Sequence, residues 1–251
     1  MFIDAHAHLD KYGDQLEAAL KEIEERRIFT WAVSMDIASY RRSLEIAAQS
    51  EWVLPTFGIH PTRAPEYAAD LKSLGSWIER SPALGEIGLD YHWVKNPGDF
   101  SAQKKVFEYF LAAAREQSKV VNLHTKGAEK DILDLLEHYQ VRRAVVHWYS
   151  GPLDILRALV EFGAHFTFGV ELLSSDKIRE LARAVPLRQI LTETDNPGGL
   201  KWLTGEIGMP DVILRVVEAL ADVKEMAPEM LAKAVERNFK ALPVDRFETK
   251  V

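Results

Sequence analysis

The sequence predicts a closed (β/α)8 barrel, and three observations lead to this fold class. Short apolar runs alternate with amphipathic helical segments along the whole chain, eight such units can be counted, and 251 residues is the usual size of one such barrel. Strands that are separated by helices pair in parallel through right-handed crossovers. An open, doubly wound sheet is the alternative, but no Gly-rich phosphate-binding run follows any predicted strand.

The elements follow one another in chain order. Apolar, β-branched runs predict strands at residues 2–10, 28–34, 52–58, 83–88, 119–123, 143–148, 165–170 and 188–192. Helices are recognised by apolar residues that recur every three or four positions, as Leu16, Ala19 and Ile23 do. The predicted helices are 15–27, 38–50, 67–80, 101–118, 129–139, 153–162 and 174–184, followed by 210–221 and 228–242, which begin at prolines.

The longest irregular stretches are residues 91–100 and 196–209, and both follow strands that carry acidic residues. In a barrel of this type the loops after the strands build the active face, so these stretches are expected to be substrate-binding walls. No linker-like Gly/Ser/Pro run and no internal repeat divides the chain. We therefore predict a single domain over residues 1–251, with the last two helices covering the barrel.

The composition narrows the function classes. The chain has no cysteine, which excludes disulfides, thiolate ligands and a cysteine nucleophile, so a metal would bind to nitrogen and oxygen. The formal net charge of -7 argues against a broad electrostatic grip on nucleic acid, although a local cationic rim or divalent ions could still hold a phosphate. Without a signal sequence or an apolar run of ~20 residues, we expect a cytoplasmic protein that uses no membrane and no obligate protein partner.

A histidine pair opens the candidate site. Side chains of a strand alternate between its faces, so Asp4, His6 and His8 point to one side of the first predicted strand. Such a pair alone is weak evidence for a metal. Other predicted strands, however, end in the same residue types: His60 after the third, Glu86 and Asp90 at the fourth, His124 at the fifth, His147 at the sixth and Asp195 at the eighth. Histidines that only pack in the core would be scattered along the strands rather than placed at strand ends. Their placement at strand ends therefore predicts a metal site at one rim.

Imidazole and carboxylate ligands without thiolate suit Zn, Mn, Fe, Co, Ni or Mg, and the number of imidazoles favours Zn or Mn.

Other histidines and aromatic residues can be explained without a role in metal binding. His138, near a helix end, and His165, at the start of the seventh strand, are expected to be structural. His92, Trp93 and Trp148 would either stack on a base or pack their loops against the rim.

Together these motifs resemble the TatD-type metal-dependent hydrolases, which belong to the amidohydrolase-like barrels. The likeness covers essentially the whole chain, and its motifs are Asp4-Ala-His-Ala-His-Leu9, Gly58-Ile-His-Pro61, Gly85-Glu-Ile-Gly-Leu-Asp-Tyr91, Leu123-His124, His147-Trp-Tyr-Ser-Gly151, Glu193-Thr-Asp-Asn-Pro197 and Arg237-Asn-Phe239. The resemblance implies a site for two divalent ions. One ion would be held by His6, His8 and Asp195 and the other by His124 and His147, with Glu86 bridging both.

The resemblance also assigns roles. Two cations a few ångström apart lower the pKa of a shared water and stabilise negative charge on phosphoryl or acyl oxygens. Asp195 is the candidate general base, with ligation alone as the alternative, and the loss of Glu86 would affect both ions. His60 resembles a substrate-contacting histidine, or else it stabilises its own turn. Asp4 and Glu193 are expected to orient ligands from outside the metal site.

Two departures from the family's pattern bear on the substrate. The fifth-strand motif usually pairs its histidine with an arginine, where this chain has Lys126, which keeps the charge but loses the two-pronged grip on phosphate. Lys126 remains a candidate substrate-binding residue. In the segment 199–210, one acidic and several apolar residues replace the basic loop expected after Asp195. The metal chemistry is therefore better supported than recognition of a nucleic-acid backbone.

Three functions remain open. The leading hypothesis is a TatD-like deoxyribonuclease that cleaves phosphodiesters and trims single-stranded DNA ends. The second keeps the barrel and both ions but hydrolyses a carboxylic ester or amide, such as a lactone, a cyclic amide or an aminoacyl-tRNA ester. The third is a metal-bound interaction protein with little turnover, which the intact ligand set argues against.

Overall fold

Eight short strands alternate with helices in the computed structural model, which describes residues 1–244. The strands are β1 Phe2–Ala7, β2 Ile28–Val33, β3 Val53–Thr56, β4 Leu84–Gly88, β5 Val121–His124, β6 Ala144–Val146, β7 His165–Phe168 and β8 Ile190–Thr192. Every paired strand runs parallel to its neighbour. The predicted α/β barrel class is confirmed.

Two seams interrupt the regular hydrogen-bonded ladder. One ladder joins β1, β2 and β3, and a second joins β4 to β8 in chain order. At the first seam Gly85 N donates to Phe57 O at 2.9 Å, which connects β3 to β4. At the second seam, between β8 and β1, Asp195 N donates to His6 O at 2.9 Å. Closure of the barrel therefore brings two of the predicted site residues side by side.

The helices are α1 Leu16–Arg26, α2 Ile37–Ala47, α3 Ala64–Tyr67, α4 Gly75–Arg80, α5 Gly98–Gln117, α6 Glu129–Tyr139, α7 Leu153–Phe162, α8 Asp176–Ala184, α9 Gly198–Thr204, α10 Val212–Val223 and α11 Pro228–Ala241. They bury the apolar faces that their spacing predicts, and the buried side chains form one continuous cluster with the strands. No helix within residues 1–244 is long and apolar enough to cross a bilayer.

The last helix, α11, packs against β1 and β8, so it covers the second seam. Its Phe239 ring lies 5.4 Å from the Phe29 ring and 6.0 Å from the Trp31 ring, measured between centroids. Removal of a buried phenylalanine ring costs about 3–5 kcal/mol of unfolding free energy. The strand edges that bring Asp195 to His6 are therefore held by packing outside the site.

The helix expected at residues 67–80 is wrong as one element. The chain forms α3, then a 3-10 turn at Leu71–Leu74, and then α4. Asp70 leaves the helical region, at φ -136 and ψ 71, and the Ser73 hydroxyl bonds to its carbonyl at 2.7 Å. This local hydrogen bond competes with helix continuation, as short polar side chains often do.

The expectation of an irregular stretch at 196–209 is also corrected, because α9 lies within it. Adjacent glycines after a proline are typical of a turn, which concealed this helix. Gly199 has a packing reason: a Cβ at this position would lie only 2.2 Å from Thr194 O. The glycine therefore allows α9 to approach the turn that carries Asp195.

Candidate metal centre

The six side chains predicted to form a metal site converge at the carboxyl ends of five strands. β1 contains His6 and leads into His8, β4 contains Glu86, and β5 ends at His124. His147 directly follows β6, and Asp195 lies in the turn after β8. All are buried except Asp195, whose side chain is 23% exposed. The site is therefore enclosed, with one carboxylate at its opening.

The Glu86 carboxylate lies at the centre of this group. Its Oε1 atom is 2.7 Å from His124 Nδ1 and 3.0 Å from His147 Nε2. Its Oε2 atom faces the other pair, at 3.7 Å from His6 Nε2 and 3.5 Å from His8 Nε2. Each oxygen of one carboxylate is thus turned toward a different pair of imidazoles.

Asp195 completes the second pair. Its Oδ1 atom lies 3.6 Å from His6 Nε2 and 3.3 Å from His8 Nε2. One ligand atom from each of these three residues falls within 4.8 Å of the others, so the three could share an ion. The same holds for His6, Glu86 and His147.

The donor chemistry fits divalent ions. His6 Nε2 is buried and has no hydrogen-bond partner in the described structure, although it points at two carboxylates. Around an ion with ligands about 2.1 Å away, neighbouring donor atoms lie about 3.0–3.4 Å apart, which is close to the distances within the site. Neutral imidazoles and carboxylates without thiolate are the ligands of Zn, Mn, Co, Ni or Mg.

His6 is oriented from the opposite side of its ring by Asn122 on β5. His6 Nδ1 lies 2.8 Å from Asn122 Oδ1, and Asn122 Nδ2 donates to Ala5 O at 2.9 Å. Because the amide nitrogen is committed to Ala5, its oxygen faces His6 and the ring proton belongs on Nδ1. The lone pair of Nε2 is then directed into the site, as a metal ligand requires.

His124 and His147 are also positioned by carboxylates outside the cluster. Asp90 Oδ2 lies 2.8 Å from His124 Nε2, which leaves Nδ1 to face Glu86. Glu193 Oε2 lies 3.4 Å from His147 Nδ1 and accepts a bond from the Thr167 hydroxyl at 2.6 Å. The structure therefore places Glu193 where the sequence expects a ligand-orienting group.

Asp4 does not contact the side chain of a proposed ligand, but it bonds to Thr194, the residue before Asp195. Its carboxylate accepts bonds from Thr194 N at 2.9 Å and from Thr194 Oγ1 at 2.6 Å, and it lies 3.4 Å from His6 N. Burial raises the pKa of Asp4 to about 7, against the hydrogen bonds from Thr194, which lower it. Asp4 thus holds the turn before Asp195 rather than contacting a ligand side chain directly.

His60 lies at the edge of the cluster, with Nε2 3.6 Å from Glu86 Oε1. Its Nδ1 accepts the backbone N–H of Thr62 at 3.2 Å and lies 2.7 Å from the Thr62 hydroxyl. The ring proton therefore belongs on Nε2, which makes that atom a donor. His60, Glu86 and His124 are close enough to share an ion, but a protonated Nε2 favours contact with a substrate oxygen.

The Lys126 amine forms two hydrogen bonds within the protein. Its Nζ atom donates to Trp148 O at 2.7 Å and to Ser150 Oγ at 3.0 Å, and it lies 5.7 Å from the Trp148 ring centroid. Burial lowers the pKa of this amine. Lys126 thus ties the β5 end to the loop after β6, and its third N–H is the one left for a substrate.

The electrostatics keep the two carboxylates ionised. Burial raises the pKa of Glu86, but His60, His147 and His6 outweigh it and hold this pKa well below its usual range. Burial likewise raises the pKa of Asp195, and the hydrogen bond and charge of His8 reverse that shift. Both groups are therefore anions at neutral pH, which is the form that binds a cation.

The pKa values of the imidazoles differ in direction, because burial lowers them and the neighbouring carboxylates raise them. Burial holds the pKa of His6 well below its usual value, and it lowers that of His60 to about 3. For His147, burial lowers the pKa, but Glu86 and Glu193 raise it to about 10. A bound cation would replace that proton, because only the neutral ring can ligate.

His165 and His138 lie where a structural role is expected from the sequence, and His92 lies in a loop at the rim. His165 begins β7, at the end opposite the site, and burial lowers its pKa. His138 stacks edge-on against Tyr139 at the end of α6, with centroids 5.0 Å apart. His92 contacts Trp93 at 4.6 Å in the loop after β4.

Asn122 and the role of Asp90 are not predicted by the sequence reasoning. The signal for Asn122 is one polar residue in an apolar strand, two positions before His124 and hence on the same face. The sequence predicts that Asp90 lies at the rim but indicates no role for it. Its partner, His124, lies 34 positions further along the chain, so only the fold brings the two together.

This chain is similar to known proteins over nearly its whole length. The family described as TatD related DNase matches residues 3–243. The uncharacterized metal-dependent hydrolase YabD of Bacillus subtilis is 29% identical, over 96% of this chain and 98% of its own length. The uncharacterized metal-dependent hydrolase YcfH of Escherichia coli is 29% identical, over 96% and 94%. The crystal structure of YjjV, a TatD homologue from Escherichia coli, superposes with a TM-score of 0.86 at 25% identity, covering 96% of this chain and 97% of that one.

Proposed function

The chain belongs to the TatD-related DNase family and is a metal-dependent hydrolase, and from this premise we propose that it is a deoxyribonuclease that trims single-stranded DNA ends with two divalent ions. The proposed ligands are His6, His8 and Asp195 for one ion, and His124 and His147 for the other, with Glu86 shared. The cytoplasmic location and the single-domain organisation expected from the sequence remain part of this proposal.

The division of the Glu86 carboxylate is the observation that carries the proposal. Oε1 faces His124 and His147, whereas Oε2 faces His6 and His8. This is the arrangement expected of a ligand that bridges two ions a few ångström apart. Two such ions, when bound, lower the pKa of a water molecule and stabilise negative charge on phosphoryl oxygens.

The chain's own residues would move and hold the proton. Asp195 turns Oδ1 toward His6 and His8, which leaves Oδ2 to take a proton from the attacking water and pass it to the leaving oxygen. His60, with its proton on Nε2, would donate to an oxygen of the scissile phosphate. Enclosure of the other ligands keeps bulk water away from these contacts.

Ester or amide hydrolysis remains the second candidate, and one observation favours it. The Lys126 amine, the cation predicted to contact phosphate, is already bonded to Trp148 O and Ser150 Oγ. The net charge of -7 likewise disfavours binding of a polyanion. The dinuclear site itself would serve an acyl centre as well as a phosphoryl centre.

A parallel assay separates the candidates. Purified wild-type protein, Asp195→Asn and the exposed-surface control Asp222→Asn are each incubated with a fluorescent single strand and with an ester and amide panel, in Mg, Mn, Co or Zn. We expect the strand to be cleaved, and Asp195→Asn to reduce turnover at least ~100-fold while Asp222→Asn does not.

Three results would contradict the nuclease proposal. Cleavage that is equal in Asp195→Asn indicates a contaminating nuclease. Turnover of the panel without cleavage of the strand supports ester or amide hydrolysis. Absence of turnover on every substrate, with metal bound, supports an interaction protein.

A further inference from the structure

Three tryptophan side chains lie together on the rim that carries the candidate metal centre. Trp93 follows β4, Trp148 directly follows His147 after β6, and Trp202 lies in α9. The Trp202 ring stands edge-on to the other two, with its centroid 6.5 Å from that of Trp93 and 6.0 Å from that of Trp148. We call these three residues the tryptophan wall.

The wall is open to solvent. Trp93 is 52% exposed and Trp202 is 60% exposed. Ile207, which follows α9, is also exposed, so three of the four large exposed hydrophobic side chains within residues 1–244 lie in two loops of this rim. Exposed apolar side chains at the mouth of a barrel, next to a cluster of polar groups, indicate a ligand-binding site.

The Trp93 end of the wall is fixed relative to the metal centre by Asp90. Asp90 Oδ1 accepts the backbone N–H groups of His92 at 2.9 Å and Trp93 at 2.6 Å, while Oδ2 contacts His124 Nε2 at 2.8 Å. One carboxylate therefore sets both the turn that presents Trp93 and the ring of a proposed ligand.

The Trp148 end is fixed in the same way by Glu193. Its Oε1 atom accepts Trp148 N at 2.9 Å, while Oε2 lies 3.4 Å from His147 Nδ1. The indole N–H of Trp148 donates to Glu171 Oε2 at 2.5 Å. The Trp148 ring is thus held in place before any substrate arrives, which lowers the entropy cost of stacking on it.

The charges beside the wall are mixed, so its aromatic surface is the feature that favours a base. Lys126 lies 5.7 Å from the Trp148 ring, but its amine is bonded to the protein. The carboxylates of Glu171 and Asp195 lie on the same rim, and the exposed Lys95 and Lys201 are close in sequence to Trp93 and Trp202. Stacking of a base on an aromatic ring requires no cation and tolerates any base, because every base has a flat π-face.

We propose that the tryptophan wall stacks an unpaired nucleobase at the end of a DNA strand and so delivers the neighbouring phosphodiester to the metal centre. The inference rests on the proposed nuclease function, and it assigns recognition of the unpaired base at the cleaved end to these three tryptophans. Binding then depends on the bases more than on the number of phosphates.

The test uses two strands of equal length and charge. One carries thymine at every position, and in the other every base is replaced by an abasic tetrahydrofuran unit. Binding is measured by anisotropy in the Asp195→Asn background, which keeps the strands intact, and cleavage is measured with active protein. The variants are Trp202→Ala, the conservative Trp202→Phe, and Met230→Ala as an exposed apolar control on α11.

We expect the thymine strand to bind at least about tenfold more tightly than the abasic strand, and Trp202→Ala to remove most of that difference. Trp202→Phe should preserve it, and Met230→Ala should change neither affinity. Equal binding of the two strands, or equal losses for both in Trp202→Ala, would overturn the inference. If active protein then still cleaves DNA, the nuclease proposal stands without the wall, and if it cleaves neither strand, both proposals fail.

Discussion

His6 Nδ1 lies 2.8 Å from Asn122 Oδ1, and this contact determines which nitrogen of His6 can bind a metal. The amide of Asn122 cannot rotate to present its nitrogen instead, because Nδ2 is bonded to Ala5 O at 2.9 Å. The ring proton is therefore held on Nδ1. Nε2 is left as an acceptor that is buried between Glu86 and Asp195.

Replacement of Asn122 should weaken metal binding without abolishing the fold. Asn122→Leu removes the acceptor for Nδ1–H, so the ring can rotate or change tautomer, and loss of such a partner typically costs about 10–100-fold in metal affinity. Asn122→Asp keeps the acceptor for Nδ1–H but loses the bond to Ala5 O, so it should weaken metal binding less than Asn122→Leu does. Competition of purified protein against a chromophoric zinc chelator measures the constant directly.

The control for Asn122 is another buried asparagine. Asn238 on α11 donates to Leu187 O at 2.7 Å and to Ile190 O at 2.9 Å, away from the site. Asn238→Leu should lower thermal stability and leave zinc affinity unchanged. An equal loss of affinity in both leucine variants would show that Asn122 acts through folding alone.

If the proposed site binds two ions, Glu86→Gln should reduce that number to at most one. The amide nitrogen of glutamine cannot ligate, so one of the two histidine pairs loses its shared oxygen. Metal content after dialysis, measured by plasma mass spectrometry, gives the stoichiometry. Glu129→Gln is the matched control, because Glu129 is buried but bonds to Gly127 N outside the site. Two ions in Glu86→Gln would refute the bridging role.

Much of the fold could be predicted because its signals are local. The boundaries of α6 and α7 agree with the sequence spacing, since each amphipathic repeat is uninterrupted between two turns. The break near Asp70 and the helix α9 could not be predicted in the same way. One depends on a side-chain hydrogen bond and the other on a close approach to Thr194.

The candidate site was likewise predictable only in part. The positions of His6, His124 and Asp195 at strand ends could be read from the sequence, because parallel strands of a barrel present their carboxyl ends on one face. The partners that orient them could not. Asn122 and Ala5 are separated by 117 positions, and only the registered barrel brings them within hydrogen-bonding distance.

Lys126→Ala tests whether this amine touches the substrate. If its third N–H contacts a phosphate, the substitution should raise KM for DNA several-fold and flatten its dependence on salt, because one ionic contact is lost. KM is measured from 50 to 200 mM salt, beside Lys130→Ala as an exposed control paired with Asp134 on α6. Unchanged KM and salt slope would leave Lys126 with the loop-tying role that its bonds to Trp148 and Ser150 describe.

Metal addition should raise the free energy of unfolding, because Glu86 and Asp195 are proposed ligands that come together only in the folded protein. The metal-free site holds Glu86 and Asp195, both ionised, among imidazoles, and a divalent cation that binds only the folded state stabilises that state by mass action. At a free metal concentration 100 times Kd, the gain is about 2.7 kcal/mol, which is a rise in Tm of several degrees. Chelator-treated protein is titrated with Zn or Mn while Tm is followed by circular dichroism. His8→Ala should show a smaller rise and the distant His138→Ala the full rise, and an equal rise in both would mean that the ion binds elsewhere.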